Sequence, residues 1–230
     1  MPDALFLCRQ GCRYSEALEE NLLDFGYNLT VHKSSNARNE KLPEEILWWR
    51  GEFILSFRSL YVLPQSLLDR ASVAAINFHP GPPEYPGGGC TNFALLNDES
   101  MYGVTAHLMD QYIDNGKILM VQRFPVSTRD NVISLTRRTH QKLFSMASTF
   151  IESIALLGNE YIAALAAESD INWREWKGSI KQIDKLSILD PELSRQEMLS
   201  IIRAAHTSSF PVKIVCNDLE FVFTRDLLCQ

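Results

Sequence analysis

The chain has 230 residues, 46% of them hydrophobic and 22% charged, with a formal net charge of -6. That composition describes a globular protein of one substantial domain with room for a small appendage. Scattered Lys and Arg argue against a general affinity for nucleic acid or anionic membrane. No run approaches the roughly 18 apolar residues of a membrane span.

The first element, "DALFLC", reads as a short apolar strand. In "YSEALEENLLDFG", Ala17, Leu18, Leu22 and Phe25 fall at helical spacing and Gly26 supplies a C-cap. "YNLTVHK" reads as a second strand, and the chain from Ser34 to Trp49 is polar, then weakly helical after Pro43. "EFILSF" is a third strand, and Pro64 opens a short helix through Arg70. A fourth strand runs from Ser72 to Asn77 and His79, whose side chains, two residues apart, project from the same side. Pro80 has no ladder N–H and ends it. This strand–helix alternation predicts an α/β fold with a mostly parallel sheet covered by helices.

Beyond the loop "PGPPEYPGGGC", Thr91 is placed to cap a helix "NFALLNDE". The strands "YGVTAHLMD" and "KILMVQRFPV" follow, joined through "QYIDNG", whose Asp-Asn-Gly is turn chemistry. A long helix over 131–157 carries Val132, Leu135, Leu143, Phe144, Ala147, Phe150, Ile151 and Ile154 as its apolar positions. From about Ser169 the character changes. Asp190-Pro191 interrupts the chain, Ser194 to Glu197 matches a capping box, and "FPVKIVC" and "LEFVFTR" flank Asn217-Asp218 as a hairpin. The predicted organisation is a main domain over 1–168 and a helix-plus-hairpin appendage over 169–230.

The five Cys (8, 12, 90, 216, 229) are odd in number and scattered, which suits a reducing cytoplasm. The start "MPDALFLCRQGC" lacks the basic region of a secretory signal. Cys8 and Cys12 are the only close pair, with no second Cys/His pair nearby, so no metal is expected. Gly87 to Gly89 is not followed by Gly-Lys-Ser/Thr and is no Walker loop; no Gly-x-Gly-x-x-Gly follows the first strand.

Asn77, His79 and an acid on a nearby loop, best Asp114, would make a minimal acyl-transfer site. A carboxylate beside His79 fixes its tautomer and stabilises its protonated form. An Asn amide is a neutral donor suited to a developing oxyanion. The plainer readings are a strand end bonded to local backbone and an ordinary Asp-Asn-Gly turn. His32, His107, His140 and His206 read as structural or solvated. Trp48, Trp49, Trp173 and Trp176 read as packing residues, the last two also as the lining of a surface groove beside Lys177.

"INFHPGPPEYPG", then "YGVTAHLMD", then "YIDNGKIL", in this order and spacing, resemble the folate-dependent formyltransferase family over roughly residues 50 to 125. That family includes the glycinamide ribonucleotide, methionyl-tRNA and sugar N-formyltransferases. The resemblance implies a Rossmann-like formyltransferase core, 10-formyltetrahydrofolate as formyl donor, and Asn77, His79 and Asp114 as the catalytic trio. It places Val62, Leu63, Asp110, Tyr112 and Ile113 beside the pterin. "HPGPPEYPGGGCTNFALLND" and "VQRFPV" look most like the sugar enzymes, which act on nucleotide-linked amino sugars and are often dimeric. A homodimer binding folate and an amino-sugar nucleotide is therefore expected, with no nucleic acid or membrane partner. The chain departs from methionyl-tRNA formyltransferase in lacking a full C-terminal RNA-binding domain, and the usual Leu-Leu-Pro after His-Pro is replaced by Gly81-Pro82-Pro83.

The loop "CRQGCRYS" leads into the first helix, a position able to hold an anion. Arg9, Gln10 and Arg13 there, with Tyr85 in the Gly/Pro loop, are the candidate substrate-binding residues. The alternatives are formylation of another small amine, hydrolysis of 10-formyltetrahydrofolate, and a non-catalytic folate-binding module.

Overall fold

The computed structural model describes residues 1–35 and 40–224. A six-stranded sheet has the order β2-β1-β3-β4-β5-β6. Its strands are β1 (Asp3–Arg9), β2 (Asn28–Ser34), β3 (Gly51–Phe57), β4 (Ala71–His79), β5 (Met101–Leu108) and β6 (Ile118–Pro125). β1 to β4 pair in parallel, and β5 is antiparallel to both its neighbours. The expected α/β fold with a mostly parallel sheet is the one observed.

Period-2 alternation splits the sheet residues between two cores. Ala4, Phe6, Phe53, Leu55, Ile76, Phe78, Val104 and Ala106 pack beneath α1 (Arg13–Asp24) and α4 (Val132–Leu157). Leu5, Leu7 and Ile54 face the other way, against Ile46 of a 3-10 turn (Glu44–Trp48) and Leu67 and Leu68 of α2 (Gln65–Leu68). α2 is shorter than the run to Arg70 that its proline suggested. Asn131 opens α4: its Oδ1 accepts the N–H groups of Ile133 and Ser134 at 3.0 Å each, while Ser134 Oγ accepts from the Asn131 N–H. Such a cap is worth about 1 kcal/mol.

Helix α3 (Cys90–Leu96) is preceded by Gly89 at φ +79, so Gly89 and not Thr91 is its cap. Thr91 lies inside the first turn, with its hydroxyl 3.1 Å from that of Thr136.

After α4 come α5 (Glu160–Glu168), α6 (Ile180–Leu186) and α7 (Arg195–Ala205), with β7 (Ile188–Leu189), β8 (Lys213–Cys216) and β9 (Leu219–Val222). α5, α6 and β7 are additional to the elements that the sequence predicts. β7 pairs in parallel with β8, so the expected hairpin is two strands of a three-stranded sheet. Its turn has Asn217 at φ 51 and Asp218 at φ 62, both left-handed as a type I′ hairpin requires. Val212 is buried with Ile183, Leu189, Ile202 and Ala205, whereas Leu219 and Phe221 of β9 are 61% and 58% exposed. Cys229 and the end of the hairpin reading at Arg225 lie outside the described residues.

Candidate active site

Strand parity builds the first part of the site. Ile76 and Phe78 point into the α1/α4 core, so Asn77 and His79 face the opposite side of β4. His79 is buried there. β5, the antiparallel neighbour, sets His107 directly across from Asn77 and Thr105 across from His79. Cross-strand partners share a face, and Asn77 Nδ2 lies 3.1 Å from His107 Nε2. Gly81 then lets the chain turn tightly past the imidazole: a Cβ on it would fall 2.6 Å from His79 Nε2. The turn brings the Tyr85 carbonyl within 3.1 Å of that nitrogen.

The β5–β6 connection supplies the acid. Gly116 passes so close to Leu108 that a Cβ would sit 2.0 Å from its carbonyl oxygen. Asp110 ties the connection from within, accepting from the Tyr112 N–H at 2.8 Å and from Asn115 Nδ2 at 2.7 Å. Asp114 is held at φ 44, a left-handed conformation that costs a non-glycine residue of order 1 kcal/mol or more. Its Oδ2 lies 3.2 Å from His79 Nδ1 and accepts from the Gly87 N–H at 2.7 Å. Its Oδ1 lies 3.5 Å from His107 Nε2.

Burial alone would raise the Asp114 carboxyl; His79, His107 and the Gly87 N–H outweigh it and hold it well below the usual carboxylate range. Burial pushes the His79 imidazolium down, against the pull of Asp114. These two tendencies oppose each other, because a carboxylate is stabilised by its neighbours only if one of the facing rings carries a proton. The hydrogen-bond chemistry decides between them. A carbonyl only accepts, so a hydrogen on His79 Nε2 suits the Tyr85 carbonyl and one on His107 Nδ1 suits the Leu108 carbonyl 2.7 Å away. Two neutral rings would then present lone pairs to Asp114. A hydrogen on His79 Nδ1, 3.2 Å away, is the donor that Asp114 Oδ2 faces.

The segment after α5 closes the site from the side. Trp173 stands edge-on to both rings, with centroid distances of 5.5 Å to His79 and 5.0 Å to His107. Its indole N–H donates to the Gly116 carbonyl at 2.8 Å. Lys177 Nζ donates to the Ile113 carbonyl, and the Gly88 N–H donates to the Gly178 carbonyl at 2.9 Å. This strap therefore touches both the Asp114 turn and the Gly/Pro loop, although its sequence reads as the start of the appendage. Cys90, 3.7 Å from His79 Nε2, donates its thiol to the Gly87 carbonyl, and burial pushes that thiol up to about 12.

A cavity of about 390 Å³ opens on these groups, and Asn77, His79, His107 and Asp114 line it. Val62, Leu63, Asp110, Tyr112 and Ile113 line the same cavity, as does Arg9. Three candidate substrate residues do not reach it through their side chains. Gln10 is exposed, and Arg13 stacks on Tyr14 with its guanidinium 4.7 Å from the ring centroid and bonds the phenol oxygen. Tyr85 is buried at 2% exposure, its hydroxyl donating to Glu99 at 2.6 Å and accepting from Asn97 at 2.9 Å; it serves the site by its carbonyl alone. His107, Trp173 and Arg58, which also lines the cavity, were not among the candidates. Alternation does place His107 on the same face as Thr105, but only the β4–β5 register brings it to Asn77. Among the described residues no group of three or more His, Cys, Asp or Glu is placed to hold a metal ion, and no helix is long and apolar enough to cross a membrane.

Comparison with known proteins places these elements. The family model described as formyl transferase matches residues 13–149. The methionyl-tRNA formyltransferase of a Nitratiruptor species is 28% identical over 173 residues, covering 75% of this chain and 55% of that protein. The chain thus spans about half the length of the curated relatives it matches. A sugar N-formyltransferase from a Shewanella species superposes with a TM-score of 0.71 at 16% identity, over 96% of each chain. An N-formyltransferase from Helicobacter canadensis, solved with folinic acid and dTDP-3-aminofucose, superposes with a TM-score of 0.72 at 15% identity, over 95% of this chain and 85% of that one.

Proposed function

This chain belongs to the formyl transferase family, and we propose that within it the protein moves the formyl group of 10-formyltetrahydrofolate to the amine of a nucleotide-linked amino sugar. The observation that carries the reading is the convergence of Asn77, His79 and Asp114 on one cavity. The sugar substrate is supported by the match to sugar N-formyltransferases over nearly the whole of both chains. The methionyl-tRNA enzymes are matched over about half their length.

In this mechanism the neutral amine attacks the formyl carbon. Asn77 gives one Nδ2 hydrogen to His107 and keeps the other for the developing oxyanion. His79 joins it by exchanging the Tyr85 carbonyl for the oxyanion as the acceptor of its Nε2–H. Asp114, held so far below the usual range, is a counter-ion that orients His79, and water carries the amine proton toward the leaving folate nitrogen. Holding the two substrates in contact supplies much of the rate. The cavity stretch from Val62 to Leu63 and from Asp110 to Ile113 takes the pterin. The exposed face of β9 pairs with a second copy of the chain, giving a homodimer.

The test is a panel of amino-sugar nucleotides offered with 10-formyltetrahydrofolate, following loss of the folate formyl group and formylation of the sugar by mass spectrometry. At least one amino-sugar nucleotide is expected to be formylated catalytically. Turnover on methionyl-tRNA alone, or formyl release to water without any amine, would contradict the reading.

A further inference from the structure

The two imidazoles of the site are backed by a side chain that does not itself line the cavity. Trp173 is half-buried, and the cavity wall is made without it. Its indole stands nearly perpendicular to both rings at once, at 82° to His79 and 84° to His107. One flat side chain thus fixes the tilt of two imidazoles that come from different strands, β4 and β5.

The same segment grips the turn that carries Asp114. The Trp173 indole N–H donates to the Gly116 carbonyl at 2.8 Å, and Lys177 Nζ donates to the Ile113 carbonyl, so Asp114 is bracketed from both sides. The bracket holds a residue at φ 44, a conformation that an aspartate does not favour by itself. On its other side the segment bonds the Gly/Pro loop. The Arg174 N–H donates to the Pro83 carbonyl at 3.0 Å, and the Gly178 N–H to the Pro86 carbonyl at 2.9 Å. That loop supplies the Tyr85 carbonyl to His79 and the Gly87 N–H to Asp114.

We propose that Trp173 is a positioning residue, whose indole keeps the His79 and His107 rings and the Asp114 turn in the geometry that formyl transfer needs. The assignment rests on the reading of Asn77, His79 and Asp114 as the reacting group. The need arises when His79 exchanges the Tyr85 carbonyl for the oxyanion. Asp114 then holds one edge of the ring, and the indole limits how far the ring can turn. His107 takes one Nδ2 hydrogen of Asn77, so a tilt of His107 would swing the other hydrogen away from the oxyanion. An indole N–H only donates, and this one is already given to Gly116. Trp173 therefore acts through the two rings and the turn, without touching substrate. A misplacement of about 1 Å in such a site can cost about 10²-fold in rate.

Trp173→Leu, Trp173→Phe and His79→Ala are compared with the wild type in two ways, with circular dichroism to check folding. One is kcat and the KM for 10-formyltetrahydrofolate, with an amino-sugar nucleotide that the panel above shows to be formylated. The other is the imidazole resonances of His79 and His107 by NMR, which need no amine substrate and decide alone if the panel yields none. Trp173→Leu keeps apolar bulk without a flat ring. It should lower kcat about 10²-fold with the KM little changed, and shift and broaden both histidine signals. Trp173→Phe restores a flat ring against the imidazoles and should recover most of that loss. Should Trp173→Leu not fold, Trp173→Met carries the same comparison. Wild-type kcat in Trp173→Leu, an equal loss in Trp173→Phe, a raised KM at unchanged kcat, or unmoved histidine signals would each overturn the assignment. An inactive His79→Ala beside a fully active Trp173→Leu would remove Trp173 alone, whereas an active His79→Ala would remove the reading beneath it.

Discussion

At one end of the cavity Asp114 stands between two imidazoles and a backbone N–H, while at the other Arg9, Arg58 and His140 press on one another. The first group is engaged within itself, and Trp173 stands edge-on to both of its rings. The second gathers basic side chains. Groups engaged with one another are what a reaction needs in order to hold geometry through a change in protonation. Both groups line the one cavity.

The largest effects should come from breaking the first group. Asp114→Asn keeps the shape but removes the counter-ion, and His79→Ala removes a donor; each is expected to lower turnover by about 10²–10³. Steady-state kinetics with circular dichroism checks this. Near wild-type turnover for Asp114→Asn would remove the residue from the mechanism.

Much of that end is legible in the sequence, and the reason is locality. Asn77 and His79 are two residues apart on a strand that Pro80 must end, and Asp114 lies in a turn marked by its own Asp-Asn-Gly. His107 escapes because its role depends on a register between strands some thirty residues apart. Trp173 escapes because it returns to the Gly116 carbonyl across an intervening long helix. Tyr85 misleads for a different reason: sequence reveals that a tyrosine is near the loop, but not that its ring turns inward to Glu99 and only its carbonyl faces His79. The arginines divide in the same way. Arg13 sits at the helix start that suggested it, yet stacks on Tyr14, while Arg58 owes its place to a left-handed residue that no periodicity signals. Thr91 has the right chemistry for a cap, but the left-handed Gly89 starts the helix two residues sooner.

The second group should show itself in stability. His140 has a folded pKa of about 3 against 6.5 for the free side chain, so the unfolded chain binds the extra proton first. Its neutral form contributes fully above about pH 6.5, and that contribution is lost as pH falls from there toward 3. Asp114, shifted down, keeps its own contribution above about pH 4 and loses it only below. Between pH 7 and 5 the melting temperature should therefore fall less for His140→Asn than for the wild type. An identical slope for the two proteins would show that His140 is not held neutral between the arginines.

The smallest effect on catalysis belongs to the hairpin, which touches neither end. Phe221→Asp, placing a charge on the exposed face of β9, should convert a dimer to a monomer in light scattering and leave turnover within about twofold, as surface changes far from a site usually do. A monomeric wild type would remove the dimer from the account.

The role of the first group is tested most directly by measuring kcat and both KM values, for folate and for the amine, in the wild type and Asp114→Asn under one set of conditions. Asp114→Asn should lower kcat with both KM values little changed. If it instead raises either KM and spares kcat, Asp114 serves binding and the account is contradicted.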